Sequence, residues 1–249
     1  MLRVARDETA RSASRSALVL APHPDDETLG CGATILRKVA AGTPVTVVVL
    51  TDGRHSHRSA HLTPDELAQL RRGEMAEAAT RLGLADGAVR WGGFVDGTLA
   101  AHDDALLRFV RGLVDELAPD EIYATSADES HPDHAAVGRA ARRAVAGGPA
   151  RLLEYPVWLW GSWPLRRGDR MASTTAAAMR LLRRRLTKVR SDGYAERKLH
   201  ALRAHASQLG RPERVPAEED WPGLPAFLLA TVQEPAELFL PWHHRSAVL

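Results

Sequence analysis

Cysteine is nearly absent from this chain: Cys31 is the only one in 249 residues, which excludes an internal disulfide and suits a reducing compartment. Lysine is scarce too, with Lys38, Lys188 and Lys198 against thirty arginines, and aromatic residues make up 5% of the chain. The first fifteen residues lack the apolar core of a signal peptide. No apolar run approaches the roughly twenty residues needed to cross a bilayer. These absences predict a cytoplasmic protein without a membrane span. No Gly-x-Ser-x-Gly is present, so a serine nucleophile elbow is excluded. Gly30-Cys31-Gly32 is no dinucleotide loop, because Ile35 stands where the third glycine belongs and acidic residues just before it would repel a pyrophosphate.

The residues that are present alternate between two patterns. Ala17–Leu20 and Val45–Leu50 read as buried strands, the second nearly continuous and β-branched as a central parallel strand requires. Thr28–Ala41 reads as a helix stopped by Gly42 and Pro44. Thr63-Pro64 with Glu66 forms a capping box for a helix running to Leu82 before Gly83. A short strand at Val89–Trp91, a helix over Asp103–Leu117, a strand over Glu121–Thr125 and a helix from Pro132 to Val145 follow, then a strand over Leu152–Val157. Strands alternating with helices predict an α/β fold with a mostly parallel sheet covered on both faces. Residues 1–15 are expected to be a flexible leader and 16–249 a single domain, with 161–249 its less legible part. There, Ala195–Leu209 reads as one helix, and Phe227–Val232 and Leu238–Leu240 as short strands forming an edge or a cap.

Two hard-ligand clusters follow predicted strands. His23-Pro24-Asp25-Asp26-Glu27 comes after the first, and His131-Pro132-Asp133-His134 after Glu121–Thr125. In an open α/β sheet, ligands bind outside the carboxyl ends of the strands, so the clusters are expected to converge there on a metal. Catalytic zinc takes three protein ligands and leaves a position for water, and His23, Asp26 and His134 supply that set without a thiolate. Asp25 then lies beside the metal as a free carboxylate able to take a proton from the attacking water. His131, one turn before His134, is placed to stabilise an oxyanion, with Asp133 orienting it or raising its pKa. This is amide or ester hydrolysis. Zinc is the expected ion, and another divalent metal suits the same donors.

The runs Ala21-Pro22-His23-Pro24-Asp25-Asp26-Glu27 and His131-Pro132-Asp133-His134 resemble the paired signatures of the PIG-L/LmbE-like zinc deacetylases. The likeness continues through Thr51-Asp52-Gly53, Leu70-Arg71 with Glu74, Asp96-Gly97 and Glu154-Tyr155-Pro156. It implies a Rossmann-like three-layer sandwich and the removal of acetyl groups from N-acetylglucosamine-containing small molecules, including thiol precursors, glycolipids and glycopeptide antibiotics. It also implies the same roles for His23, Asp26 and His134 as zinc ligands, Asp25 as base and His131 with Asp133 as stabiliser. Arg71 and Asp96 resemble positions that hold the sugar; their alternatives are an ion pair with Glu74 and a turn aspartate. Some members that act on thiol precursors carry tyrosine where this chain has Glu129, which sets those substrates apart.

The partner expected is therefore a small N-acetylated molecule, in specialised metabolism among other settings. Rival readings are a zinc amidase for another N-acyl or thiol-conjugate substrate, and a noncatalytic metal- or sugar-binding protein. Arg166–Arg190 holds nine basic residues and one acid; it reads as a solvated helix face, the alternative being an anion-binding or partner-binding patch, and without aromatic interleaving or a recognition helix it does not read as a nucleic-acid surface. Tyr155, Trp158, Trp160 and Trp163 either line a pocket or belong to the core or a homo-oligomer contact.

Overall fold

A computed structural model describes residues 5–161 and 186–242. Among them, β1 (Arg6–Asp7), β2 (Ala17–Ala21), β3 (Val45–Thr51), β4 (Val89–Phe94), β5 (Glu121–Thr125), β6 (Arg151–Tyr155), β7 (Thr187–Arg190) and β8 (Ala236–Trp242) form one sheet in the order β1-β7-β8-β6-β5-β2-β3-β4. Pairing is parallel except where β8 runs antiparallel to β6 and β7. The helices are α1 (Thr9–Ala13), α2 (Asp26–Ala40), α3 (Pro64–Leu82), α4 (Asp103–Leu117), α5 (Pro132–Ala144), α6 (Ala195–Leu202), α7 (Ala206–Leu209) and α8 (Ala226–Val232).

Strand side chains alternate between two cores because successive residues face opposite sides of the sheet. Val19, Val47, Val49 and Tyr123 pack into one core with Leu29, Ile35, Met75, Leu202 and Leu228. Leu18, Leu20, Val48, Leu50 and Ile122 pack into the other with Leu106, Val110, Val137 and Ala141. Helices α2, α3, α6 and α8 therefore cover one face and α4 and α5 the other, the three-layer arrangement expected. The capping box at Thr63 and Glu66 forms, and Gly83 closes α3 in the left-handed region at φ 74°.

The topology places the site. From β2 the chain builds outward through β3 and β4, then returns to lay β5 on the other side of β2 and β6 beyond it. The connections after β2 and β5 thus part on either side of a crevice, the switch point where such sheets bind ligands. Pro132 at the start of α5 and the acidic residues opening α2 set both helix N-termini at that crevice.

Four expectations change. The segment assigned to a leader is tied down from residue 5: β1 pairs with β7, and buried Lys38 donates to the Ser12 and Arg15 carbonyls as well as to Glu121. Phe227–Val232 is helix α8 rather than a strand; Pro225 caps it, and Leu228 and Val232, four residues apart, are buried on one face. Leu238–Leu240 lies inside the longer β8, between β6 and β7, not at an edge. The expected helix Ala195–Leu209 breaks into α6 and α7 around His205, whose backbone at φ −78° and ψ 56° leaves the helical region. Trp163 and residues 166–185 of the arginine-rich stretch lie outside the described residues.

Candidate active site

Both clusters converge at the strand ends. His23 Nδ1 lies 3.3 Å from Asp26 Oδ2 and 3.2 Å from His134 Nε2, and His134 Nε2 lies 3.3 Å from Asp26 Oδ2. A tetrahedral ion about 2.0–2.1 Å from nitrogen and oxygen ligands holds them about 3.3 Å apart, so this triangle has the edges such an ion needs. His131 stands beside it, its ring centroid 4.9 Å from those of both His23 and His134. The cluster can therefore hold a metal ion. His23 also groups with His131 and His134, so His131 is a further donor within reach of an ion there, and with Asp96 and Asp133; the last trio approaches the far nitrogen, Nε2 being 3.0 Å from Asp96 Oδ1 and 3.4 Å from Asp133 Oδ2, without hydrogen-bond alignment. Carboxylates behind a ligating imidazole orient it, and this is the better reading of Asp96 and Asp133.

Charge in the pocket is unevenly held. Burial lifts Asp25 to about 7, helped by Asp26 and Glu27 and opposed by Arg71 and His205. Burial would also lift Asp26, yet His134 and His23 hold it down at about 2. Burial keeps His134 neutral to about pH 3, whereas the carboxylates around His23 overcome burial and raise it well above its ordinary value. Burial lowers His131, with the charge of His23 adding to the effect.

Asp25 has an unusual backbone. Its φ of 131° is one of two positive values among the described non-glycine residues, a strain of about 1–3 kcal/mol that surrounding contacts must offset. Arg71 supplies some of them. Its Nη2 donates to the Pro24 carbonyl and lies 3.3 Å from Asp25 Oδ2, and its Nη1 donates to the Gly53 carbonyl at 3.1 Å. A Cβ on Gly53 would collide with this guanidinium, so the Thr51-Asp52-Gly53 run exists in part to let Arg71 in.

Several sequence expectations acquire different partners here. Arg71 lines the cavity but is only 2% exposed and committed to protein, and Glu74 turns away from it to accept from Ser207 N and Oγ. Asp96 also lines the cavity, with Oδ2 accepting from His55 N and Oδ1 facing His23. Asp133 accepts from Gly97 N and Leu99 N and leans on His23, while His131 Nδ1 has no hydrogen-bond partner, so Asp133 acts on His131 through its charge, which favours the protonated ring, and not through a hydrogen bond. Glu129 points at the backbone, accepting from Val157 N and Leu159 N, and does not take the place of a phenol in the site. Tyr155 is core: its hydroxyl donates to the Leu20 carbonyl and its ring covers Gly30, where a Cβ would strike it.

The cavity also has a wall that sequence reading missed apart from Trp158, which lines it as one of the expected alternatives. His55, Ser56 and His57 come from the loop after β3, Gln208 from α7, and Leu224 and Leu228 join Val157 and Trp158 as an apolar side. His57 stacks on Trp221 at 4.1 Å, and its Nε2 donates to the Pro222 carbonyl. These residues lie in no contiguous motif; the one signal available was the concentration of histidine over 55–61.

A crevice at the switch point, a metal-sized triangle of His and Asp donors and a buried carboxylate beside it make a site that can hold a metal ion and suits the hydrolysis of amides. The chain belongs to the PIG-L family, whose description is GlcNAc-PI de-N-acetylase and whose model matches residues 18–145; it is an N-deacetylase. A 1D-myo-inositol 2-acetamido-2-deoxy-alpha-D-glucopyranoside deacetylase of Saccharomonospora viridis is 31% identical over 229 residues, covering 75% of this chain and 82% of the relative. A probable N-acetyl-alpha-D-glucosaminyl L-malate deacetylase of Bacillus cereus is 34% identical over 148 residues, 57% of this chain and 66% of the relative. Among solved structures, the N,N'-diacetylchitobiose deacetylase of Pyrococcus horikoshii has the same fold, with a TM-score of 0.63 at 24% identity over 82% of this chain and 74% of that one. Among the described residues no helix is long and apolar enough to cross a membrane.

Proposed function

We propose that the protein is a zinc-dependent deacetylase that frees the amine of an N-acetylated amino sugar carried on a small molecule. The observation that carries the reading is the triangle of His23 Nδ1, Asp26 Oδ2 and His134 Nε2, with edges of 3.2–3.3 Å, on a cavity that Asp25 and His131 also line. Zinc bound there would polarise the acetyl carbonyl and acidify a water. Asp25, clamped by Arg71 and outside the triangle, takes the proton of the attacking water. His131 faces the developing oxyanion and donates to it, a contact made stronger by exclusion of bulk water. The proton held by Asp25 or His131 then passes to the leaving nitrogen as the C–N bond breaks.

Asp133 and Asp96 keep the His23 ring turned so that Nδ1 faces the other two donors. Asp96 stands at the cavity wall, where a carboxylate suits directional bonds to sugar hydroxyls, whereas Arg71, committed to Pro24, Gly53 and Asp25, serves the site by holding Asp25. The relatives' names support the sugar: two curated ones act on 2-acetamido sugars joined to inositol or malate. The test is amine release by zinc-reconstituted protein from N-acetylglucosaminides beside N-acyl thiol conjugates. Release from the sugars is expected; a fully metallated protein that turned over only the thiol conjugates, or neither, would contradict the proposal.

A further inference from the structure

His205 lies outside the segment that matches the family model and far from both ligand clusters in sequence. It is nonetheless completely buried, and its Nε2 meets Glu27 Oε1 at 3.3 Å, with Glu27 equally buried. The other Glu27 oxygen accepts the backbone N–H of Asp25 at 3.1 Å. A carboxylate only accepts, so the proton in the His205–Glu27 contact is on Nε2. The break between α6 and α7 exists at this residue and delivers its ring to the first turn of α2.

Asp25 needs such a hold. At φ 131° its backbone relaxes unless neighbouring groups over-determine it. Arg71 grips its carboxylate and the Pro24 carbonyl before it. Its own carbonyl accepts from Thr28 N and Leu29 N as α2 begins. What remains is the Asp25 N–H, and Glu27 takes it. A carboxylate alone could swing to other donors in a first helical turn, but Glu27 is fixed at Oε1 by Thr28 Oγ1 at 2.6 Å and by His205.

We propose that His205 is a positioning residue of the active site, holding Glu27 so that its carboxylate pins the strained Asp25 backbone and aims the Asp25 side chain. The inference rests on Asp25 acting as the base in the proposed deacetylation. It gives the C-terminal part of the chain a direct hold on the catalytic turn, reinforced where Ser207, two residues on, is gripped by Glu74 of α3.

The experiment compares His205→Gln, which keeps a side-chain N–H for Glu27, with His205→Phe and His205→Leu, which fill the buried volume without one. The first readout is hydrogen exchange of the Asp25 amide in metal-free protein. It is expected to stay protected in wild type and His205→Gln and to exchange about 10-fold faster or more in the donor-free variants. The second is kinetics with zinc and an N-acetylglucosaminide: kcat is expected to fall about 10- to 100-fold in the donor-free variants with KM little changed, and to return in His205→Gln. Unchanged Asp25 protection in a folded donor-free variant would overturn the proposal, as would an unchanged kcat. Should wild type itself release no amine, the deacetylase reading falls, while amide exchange still decides whether His205 holds Asp25.

Discussion

The strand-end clusters and the segment 195–232 build the same cavity by opposite routes. His23, Asp25 and Asp26 share one turn after β2, and His131 and His134 one turn at the start of α5. Local geometry alone brings each set together. By contrast, His205, Gln208, Leu224 and Leu228 are spread along broken helices and loops, and each reaches the site through a partner distant in sequence: Glu27, Ser56 or the apolar side of the cavity. The candidate metal donors and Asp25 sit in contiguous motifs, while the cavity wall and the His205–Glu27 contact depend on how the later segment docks.

Breaking that docking should give the largest effect. Lys198 of α6 donates to Glu237 of β8 at 2.7 Å and to the Leu29 carbonyl at 3.0 Å, all buried. Lys198→Ala leaves the buried Glu237 carboxylate without its counter-charge, though still bonded by Ala33 N, Thr34 N and Thr34 Oγ1, and should cost about 3–5 kcal/mol, read as a lower denaturation midpoint. Next comes the metal. Chelation should lower Tm, since an ion at 100 times its Kd stabilises by about 2.7 kcal/mol, and zinc should restore it in wild type but not in His134→Ala.

A pH effect separates the two regions further. Burial lifts Glu129 to about 8 against the Val157, Leu159 and Trp158 N–H groups that favour its ionised form. The folded protein thus keeps a proton that the unfolded chain releases near its ordinary carboxylate value. This contribution to stability is full below that value and is lost as pH rises through about 8, at most about 1.4 kcal/mol per pH unit. Glu129→Gln should flatten that slope in a series of urea titrations from pH 5 to 9. The smallest effect is expected at Asp96: Asp96→Asn keeps an acceptor for His55 N but weakens the proposed sugar contact, raising KM about 3- to 10-fold, in line with the roughly 0.5–1.5 kcal/mol of one hydrogen bond.

Legibility in the sequence follows the same division. β2, β3, α3, α4 and β5 were readable because apolar periodicity, a capping box and proline or glycine stops agreed with their burial. The convergence of His23, Asp26 and His134 was readable because His and Asp, both able to ligate a metal, recur in fixed spacing after two strands. α8 was misread because seven residues of apolar sequence carry too little periodicity to separate helix from strand. The split of α6 from α7 was invisible because the contact made at the break, His205 with Glu27, spans 178 positions. Arg71 was placed on the helix type and turn expected, yet its burial against Pro24 and Gly53 is a tertiary fact that no local pattern records.

The measurement that bears most directly on the site is single-turnover amine release from an N-acetylglucosaminide by wild type and Asp25→Asn, with bound zinc quantified in both. Full zinc in each, with the rate in Asp25→Asn lower by about 10²- to 10⁴-fold, is the expected result for a general base outside the ligand triangle. Equal rates at equal zinc content would contradict it.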